Sequence, residues 1–171
     1  MIGIRPAAEK DIKILADVER SAAEAFLTLS EYIPSDRTVP SDLLMQMMTN
    51  KNLWVATVDE SEPVGFIGCM DMNNLLYVHE ISVAHKFQKQ GIGRRLMLHI
   101  IDGASRANYP AVGLTTRRDA VWNMPFYKTL GFIETTESQK WPGLFAQLQK
   151  EIDNGADSAI RCAMVKILKG T

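Results

Sequence analysis

Runs of apolar residues along the chain follow two patterns, one typical of strands and one with the period of an α-helix. The first pattern predicts strands at residues 2–5, 53–58, 64–72, 75–83, 111–115, 132–136 and 159–168. The second predicts helices at residues 12–26, 41–48, 92–107, 120–130 and 144–153. Strands that alternate with helices indicate an α/β or α+β fold around a mixed sheet.

The helix at residues 92–107 has the clearest division into two faces. Its apolar positions fall on one side: Ile92, Leu96, Met97, Ile100, Ile101 and Ala104. Its charged positions fall on the other: Arg94, Arg95, Asp102 and Arg106. Gly131 is expected to end the helix at 120–130 in a left-handed cap. Pro34 and Pro40 are expected to bracket a loop.

Composition predicts one domain over residues 1–171, long enough to bury a sizeable core. A net charge of −1 argues against a general nucleic-acid partner. No apolar run approaches the ~18 residues of a membrane span, and no signal peptide opens the chain, so neither a membrane partner nor secretion is expected. Cys69 and Cys162 lie in apolar runs, which favours the reducing cytoplasm over a disulfide framework.

The most informative segment, residues 88–95, joins a predicted strand to a predicted helix and reads Gln-Lys-Gln-Gly-Ile-Gly-Arg-Arg. Glycines at such a corner let backbone N–H groups converge on a small anion, and the helix dipole adds positive potential. A P-loop would need Lys-Ser or Lys-Thr after Gly93, where Arg94 stands. A dinucleotide-binding turn would need glycine or alanine at Leu96. The segment therefore predicts a phosphate-binding loop that is neither a P-loop nor a dinucleotide-binding turn.

Residues 88–93 fit every position of the central motif of the GNAT superfamily of N-acetyltransferases, which the chain resembles. Residues 80–83, Glu-Ile-Ser-Val, resemble the end of the preceding strand in that family. Residues 123–132, from Asn123 through Phe-Tyr-Lys-Thr-Leu-Gly-Phe, resemble a second family motif. One departure is His85, which stands where the family often has proline.

The resemblance implies a GNAT fold, with a mixed sheet of six to seven strands, flanked by helices and splayed to admit acetyl-coenzyme A. No metal is implied, and no metal-ligand spacing is visible among His, Cys, Asp and Glu. Backbone N–H groups of residues 88–94 would take the pyrophosphate, and the edge of residues 81–83 would pair with the pantetheine amides and polarise the thioester carbonyl. The expected cofactor-binding residues are Ile81, Ser82, Val83, Gln88, Lys89, Gln90, Gly91, Ile92, Gly93, Arg94, Asn123 and Phe126. Among the cations near the motifs, Lys89 and Arg94 are preferred to Arg95, Arg117 and Arg118.

Two residues are expected to carry the chemistry. The resemblance places Tyr127 near the coenzyme A sulfur, where its hydroxyl can protonate the departing thiolate; the alternative is that it only packs its helix on the sheet. Glu80 is the leading base for the incoming amine, and its alternative is a surface or salt-bridged glutamate. His79, on the opposite face of the strand, is the rival base. Asn123 either contacts the pantetheine arm or caps its helix.

The sequence thus predicts acetyl transfer from acetyl-coenzyme A to a primary amine of a small molecule, a peptide or a protein. Direct attack in a ternary complex is expected, because no cysteine neighbours the motifs. Ser21 and Glu24 lie on the first helix, which in the family borders the acceptor site. A non-catalytic acyl-coenzyme A sensor or assembly module is the alternative, since it would need the glycines but neither Tyr127 nor Glu80. The acceptor's identity and a homodimeric assembly are left open.

Overall fold

A computed structural model describes residues 1–29 and 37–168 of the chain. Its strands are β1 (Ile2–Pro6), β2 (Leu53–Val58), β3 (Pro63–Asp71), β4 (Leu76–Val83), β5 (Ala111–Arg117), β6 (Ile133–Thr135) and β7 (Arg161–Ile167). Its α-helices are α1 (Ile12–Ala23), α2 (Ser41–Thr49), α3 (Ile92–Arg106), α4 (Asn123–Thr129) and α5 (Pro142–Asp153). Every predicted strand and helix is present. The loop expected between Pro34 and Pro40 lies partly outside the described residues.

The strands form a seven-stranded mixed sheet in the order β1-β2-β3-β4-β5-β7-β6. β1 pairs with β2, β2 with β3, β5 with β7, and β6 with β7, all antiparallel. β4 pairs with β5 in parallel, with Leu76 opposite Val112 and Tyr77 opposite Gly113. The expected mixed sheet with flanking helices is confirmed.

The chain divides into two compact units. The first unit contains Met1–Met70 and His79–His99, and the second contains Asp71–Val78 and Ile100–Thr171. The core of the first unit is built from α1, α2, β2 and β3, and its buried residues are Ile12, Leu15, Val18, Val39, Leu44, Met47, Leu53, Val55 and Phe66. The burial of Ile12, Leu15 and Val18 on one face of α1 follows from their spacing of three residues.

In the second unit the packing of β5 depends on Gly113. A Cβ at this position would lie 3.1 Å from the side chain of Leu75 and 3.3 Å from that of Leu144. Both leucines are fully buried, so the bare glycine backbone lets them pack directly on the strand. On β7, Cys162, Ala163, Met164 and Val165 are buried as well.

A polar network in the same unit centres on the carboxylate of Glu151 in α5. Its Oε1 accepts hydrogen bonds from Thr115 at 2.8 Å and from Gln147 at 3.2 Å. Its Oε2 accepts two bonds from the Arg161 guanidinium, at 3.0 and 2.6 Å. The hydroxyl of Tyr77 lies 3.2 Å from Thr115 Oγ1, and burial raises the pKa of this phenol. The network joins α5 to β4, β5 and β7, and no local sequence pattern predicts it.

The two faces of α3 agree with the prediction. All six apolar positions named for its inner side are buried, and all four charged positions on the other side are exposed. The sequence pattern of this helix is therefore sufficient to orient it.

Several element boundaries differ from the predicted ones, and three of these differences change how an element begins or ends. α1 ends at Ala23 and continues as a 3-10 turn over Glu24–Thr28. α4 begins at Asn123 rather than at residue 120, because the Asn123 N–H bonds to Ala120 O and closes a turn before the helix. β7 begins at Arg161 rather than at residue 159, since residues 157–160 form a turn in which the Arg161 N–H bonds to Asp157 O.

Candidate functional site

The first part of the site is the corner where β4 leads into α3, within the first unit. Gly65 on β3 brings the backbone close here, since a Cβ on it would lie 3.1 Å from Ser82 O and 3.4 Å from the Ile92 side chain. The Ala84 N–H donates to Val64 O at 2.9 Å. The end of β4 and the start of α3 are thus held against the same stretch of β3.

The loop between the two elements has the backbone that the glycine motif predicts. Lys89 and Gly91 have positive φ, at 60° and 79°. No described atom outside residues 90–92 would lie within 4 Å of a Cβ built at Gly91, so the space above this glycine is not filled by other parts of the described chain. α3 starts at Ile92, with the Arg95 N–H bonding back to Gly91 O at 3.0 Å. The first N–H groups of a helix have no partner within the helix, so this end of α3 faces the loop as a hydrogen-bond donor surface.

The Gln88 side chain anchors the loop to the backbone of β4 and α1. Its Nε2 donates to Val83 O at 3.0 Å and to Ala22 O of α1 at 3.3 Å. The carboxamide therefore links the end of β4 to α1, and any contact that Gln88 makes with a phosphate would come from its backbone. The link to Ala22 crosses 66 residues of sequence, which no local pattern reveals.

His85 replaces the family's frequent proline in a way that fixes the turn. Its backbone N–H, which proline lacks, donates to Ser21 Oγ at 3.0 Å. Its Nδ1 lies 3.2 Å from a carboxylate oxygen of Glu24. The 3-10 turn His85–Phe87 is thereby tied to the end of α1. Ser21 and Glu24, expected near the acceptor, both contact this turn.

Glu80, the expected base, receives a hydrogen bond from its neighbour on the strand. The Ser82 hydroxyl donates to Glu80 Oε1 at 2.6 Å. Ser82 is 6% exposed, whereas Glu80 is half-buried. The two side chains are on the same face of β4 because residues two apart along a strand point the same way. The alternation was visible in the sequence, yet the role of the Ser82 hydroxyl was not predicted.

The second unit holds the residues of the downstream motif. Tyr127 is buried, and its ring packs edge-on against Phe126 and Phe132, with centroids 5.2 and 5.9 Å away. Asn123 does not cap α4, since the residue at the cap is Trp122. Its side-chain nitrogen instead donates to Thr116 Oγ1 on β5 at 3.3 Å. The capping alternative for Asn123 is thus wrong.

The predicted left-handed cap follows α4. Gly131 has φ of 89°, and its N–H donates to Lys128 O at 3.0 Å. The N–H of Phe132 then donates to Tyr127 O at 3.1 Å. These bonds fix the Tyr127 backbone at the end of the helix, in the arrangement that a C-terminal glycine favours.

Two of the candidate cations, Arg117 and Arg118, form ion pairs with neighbouring carboxylates. Arg117 pairs with Asp119 at 2.6 Å and holds the pKa of that carboxyl below its ordinary value. Arg118 pairs with Glu134 and also donates to the carbonyls of residues 159 and 161. Lys89, Arg94 and Arg95 are exposed at the glycine loop and the start of α3, so exposure alone does not distinguish among them.

Within residues 1–29 and 37–168 no group of three or more His, Cys, Asp or Glu side chains is arranged to hold a metal ion. None of the helices in that part of the chain has both the length and the apolar character needed to cross a bilayer. Cys69 and Cys162 are buried free thiols, and burial raises the pKa of both.

Comparison with solved structures shows where this fold occurs. The PaiA N-acetyltransferase from Thermoplasma acidophilum, in complex with coenzyme A, superposes with a TM-score of 0.73 at 16% identity, over 98% of this chain and 99% of that one. The ribosomal-protein-S18-alanine N-acetyltransferase from Escherichia coli gives 0.68 at 16% identity, over 100% and 96%. N-acetylglutamate synthase from Neisseria gonorrhoeae, complexed with coenzyme A and N-acetyl-glutamate, gives 0.71 at 17% identity, over 99% of this chain and 36% of that one.

A family model described as an acetyltransferase (GNAT) domain matches residues 18–149, which include the glycine loop, Glu80 and the Tyr127 motif. Enzymes with this domain transfer acetyl groups from acetyl-coenzyme A. By its sequence match, its mixed seven-stranded sheet and its two motifs, the chain belongs to the GNAT family of acetyltransferases.

Proposed function

We propose that this protein transfers the acetyl group of acetyl-coenzyme A to a primary amine, by direct attack of the amine on the thioester in a ternary complex. The observation that carries the proposal is the corner at Gly91. A left-handed glycine with no described atom outside residues 90–92 within 4 Å of its missing Cβ stands immediately before the first N–H groups of α3. This arrangement suits a diphosphate, which needs several backbone donors and close approach to the chain.

The proposed contacts to acetyl-coenzyme A follow from that corner. Backbone N–H groups from Gln88 to Arg94 take the pyrophosphate, and Lys89 and Arg94 add positive charge. The backbone of residues 81–83 pairs with the pantetheine amides, while Asn123 and Phe126 contact the rest of the arm. Acetyl-coenzyme A supplies an acetyl group already activated as a thioester, so the chain needs no metal for the step described below.

The proposed chemistry assigns one proton transfer to each of two residues. Glu80 accepts the proton of the amine, directly or through water, because an ammonium has no lone pair with which to attack. A backbone N–H of β4 stabilises the oxyanion that forms when the new C–N bond is made. Tyr127 donates its hydroxyl proton to the sulfur as the C–S bond breaks. His79 is the alternative base.

Direct attack is preferred to an acetyl-cysteine intermediate. Both cysteines are buried and their pKa values are raised, which keeps each thiol protonated and a poor nucleophile. Free, unpaired thiols also suit a reducing compartment, and we propose the cytoplasm as the place of action. An amine acceptor is supported by two structural neighbours, one a ribosomal-protein-S18-alanine N-acetyltransferase and the other an N-acetylglutamate synthase complexed with N-acetyl-glutamate.

The test is coenzyme A release against a panel of polyamines, amino acids, aminoglycosides and peptide N-termini, with wild type and Tyr127→Phe. At least one amine should give turnover, and Tyr127→Phe should lower kcat about 100-fold while leaving the affinity for acetyl-coenzyme A unchanged. Tyr109→Phe, which removes a hydroxyl from the turn after α3, serves as the matched control and should keep wild-type kcat.

Two results would count against the proposal. Unchanged turnover in Tyr127→Phe would show that this hydroxyl is not the acid. Tight binding of acetyl-coenzyme A with no turnover on any amine would favour a non-catalytic acyl-coenzyme A sensor.

A further inference from the structure

We infer that Ser82 is a positioning residue for Glu80: its hydroxyl holds the carboxylate in the orientation from which it accepts the amine proton. The inference rests on the base role proposed above for Glu80. The sequence analysis expected Ser82 to contact the cofactor through its backbone, and the inference adds a function for its side chain.

The bond itself carries the argument. Ser82 Oγ lies 2.6 Å from Glu80 Oε1, the short distance typical of a hydroxyl that donates to a charged oxygen. Both residues belong to one strand with one residue between them, so the strand's alternation sets the geometry of the pair. A glutamate side chain has three rotatable bonds, and fixing one carboxylate oxygen removes much of that freedom.

The surroundings of Ser82 make it a rigid anchor. Its residue is 6% exposed, and its carbonyl oxygen faces Gly65 so closely that a Cβ there would lie 3.1 Å away. The adjoining residues of β4 are held in turn by the Gln88 side chain on Val83 O. A hydroxyl on a buried residue with a closely packed backbone can define the position of a more exposed partner.

The pair also resembles a nucleophile beside its base, and the distinction matters for the mechanism. In the positioning role Ser82 keeps its proton throughout turnover, and the acetyl carbon bonds only to the amine nitrogen. In the nucleophile role Glu80 would take the serine proton, and an acetyl ester of Ser82 would form with release of coenzyme A. Direct attack requires the first role, so the two roles predict different covalent states of Ser82.

The experiment is a double-mutant cycle with Ser82→Ala, Glu80→Gln and the double variant. Glu80→Gln should lower kcat about 100-fold. Ser82→Ala should lower kcat about tenfold, the size of one hydrogen bond to a charged group, with the KM for acetyl-coenzyme A unchanged. In the Glu80→Gln background the same substitution should change kcat by less than about twofold, because the carboxylate it positions is gone. Ser82→Thr keeps the hydroxyl and should stay within about threefold of wild type.

Two readouts separate positioning from a loss of structure. Calorimetric affinity for coenzyme A should be the same in wild type and Ser82→Ala. Thr57→Val removes another buried strand hydroxyl of the first unit and should keep wild-type kcat. If Ser82→Ala does not fold, Ser82→Cys, which has a similar size and a weak donor, is put through the same cycle and judged by the same criteria.

Four results would overturn the inference, and each is distinct. Equal losses of kcat from Ser82→Ala in both backgrounds, or no loss in either, would show that the hydroxyl does not act through Glu80. Wild-type turnover in Glu80→Gln would remove the base assignment of the proposed function, and the positioning role with it. A peptide acetylated at Ser82, trapped by rapid quench and found by mass spectrometry, would make the serine a nucleophile.

Discussion

Gly91 and Gly131 have nearly the same left-handed backbone, with φ of 79° and 89°, but their surroundings differ. A Cβ on Gly131 would lie 2.6 Å from Lys166 Nζ, so this corner is enclosed by the chain's own side chain. A Cβ on Gly91 would meet no described atom outside residues 90–92 within 4 Å. Gly131 is explained by the need to end α4, whereas Gly91 stands before a helix start with room beside it. The same torsion thus serves folding at one corner and, we propose, a ligand at the other.

The strongest test of this difference is Gly91→Ala. A left-handed alanine costs about 1–2 kcal/mol of stability. Its Cβ would also occupy the space proposed for the pyrophosphate, so the dissociation constant for coenzyme A should rise at least about tenfold. Calorimetry on the folded variant measures the change. An unchanged affinity would mean that Gly91, like Gly131, only shapes the backbone.

Gly91→Ala could weaken binding only because it destabilises the first unit. Asp11→Asn, which destabilises the same unit, is the control for this effect. Asp11 is 1% exposed, and both its carboxylate oxygens accept hydrogen bonds from Arg5, at 2.6 and 2.9 Å. Removing this charge should lower the free energy of unfolding at pH 7 by about 1–3 kcal/mol. Coenzyme A affinity should stay within about twofold of wild type. A drop as large as that of Gly91→Ala would attribute both effects to instability.

The same pair gives a pH dependence with a definite sign. The Arg5 guanidinium lowers the pKa of the Asp11 carboxyl in the folded protein. The unfolded value is about 3.9, so the stabilisation is complete above that pH and is lost as the pH falls through the lower folded pKa. Urea unfolding of wild type and Asp11→Asn should therefore converge as the pH drops below about 4. A constant difference down to low pH would show that the charge of Asp11 is not responsible.

Gly131→Ala should have the smaller effect on the site. It carries the same backbone strain of about 1–2 kcal/mol, and Lys166 Nζ can move away because it is the end of a flexible side chain. Unfolding should be easier, but the affinity for coenzyme A should change by less than about twofold. Gly103 lies in α3, and a Cβ on it would meet no other part of the described chain within 4 Å. Gly103→Ala should therefore raise the free energy of unfolding by about 0.5–1 kcal/mol, which makes it a stabilising control. If Gly131→Ala weakened coenzyme A binding as much as Gly91→Ala, the proposed difference between the two glycines would be contradicted.

What could be predicted from the sequence was mostly local. The faces of α3 follow from residues three and four apart, and the glycine corner follows from adjacent residues, so both were predicted. The start of α5 at Pro142 was placed two residues late, although proline in the first turn of a helix is itself a signal. The Ser82 bond to Glu80 could also have been found, since it joins residues two apart on one strand.

What could not be predicted was distant in sequence. The Gln88 carboxamide meets Ala22 across 66 residues, and the Tyr77 hydroxyl meets Glu151 across 74. Such contacts depend on tertiary packing that no periodicity encodes. The same division holds for the candidate site. The two motifs were visible in the sequence, whereas the long-range hydrogen bonds that hold their residues were seen only in the structure.

The measurement that tests the account most directly is isothermal titration calorimetry of the wild-type protein with coenzyme A and acetyl-coenzyme A. The account predicts saturable binding of each with one site per chain, and an at least about tenfold weaker binding by Gly91→Ala. No heat of binding with the folded wild-type protein, for either compound, would contradict it.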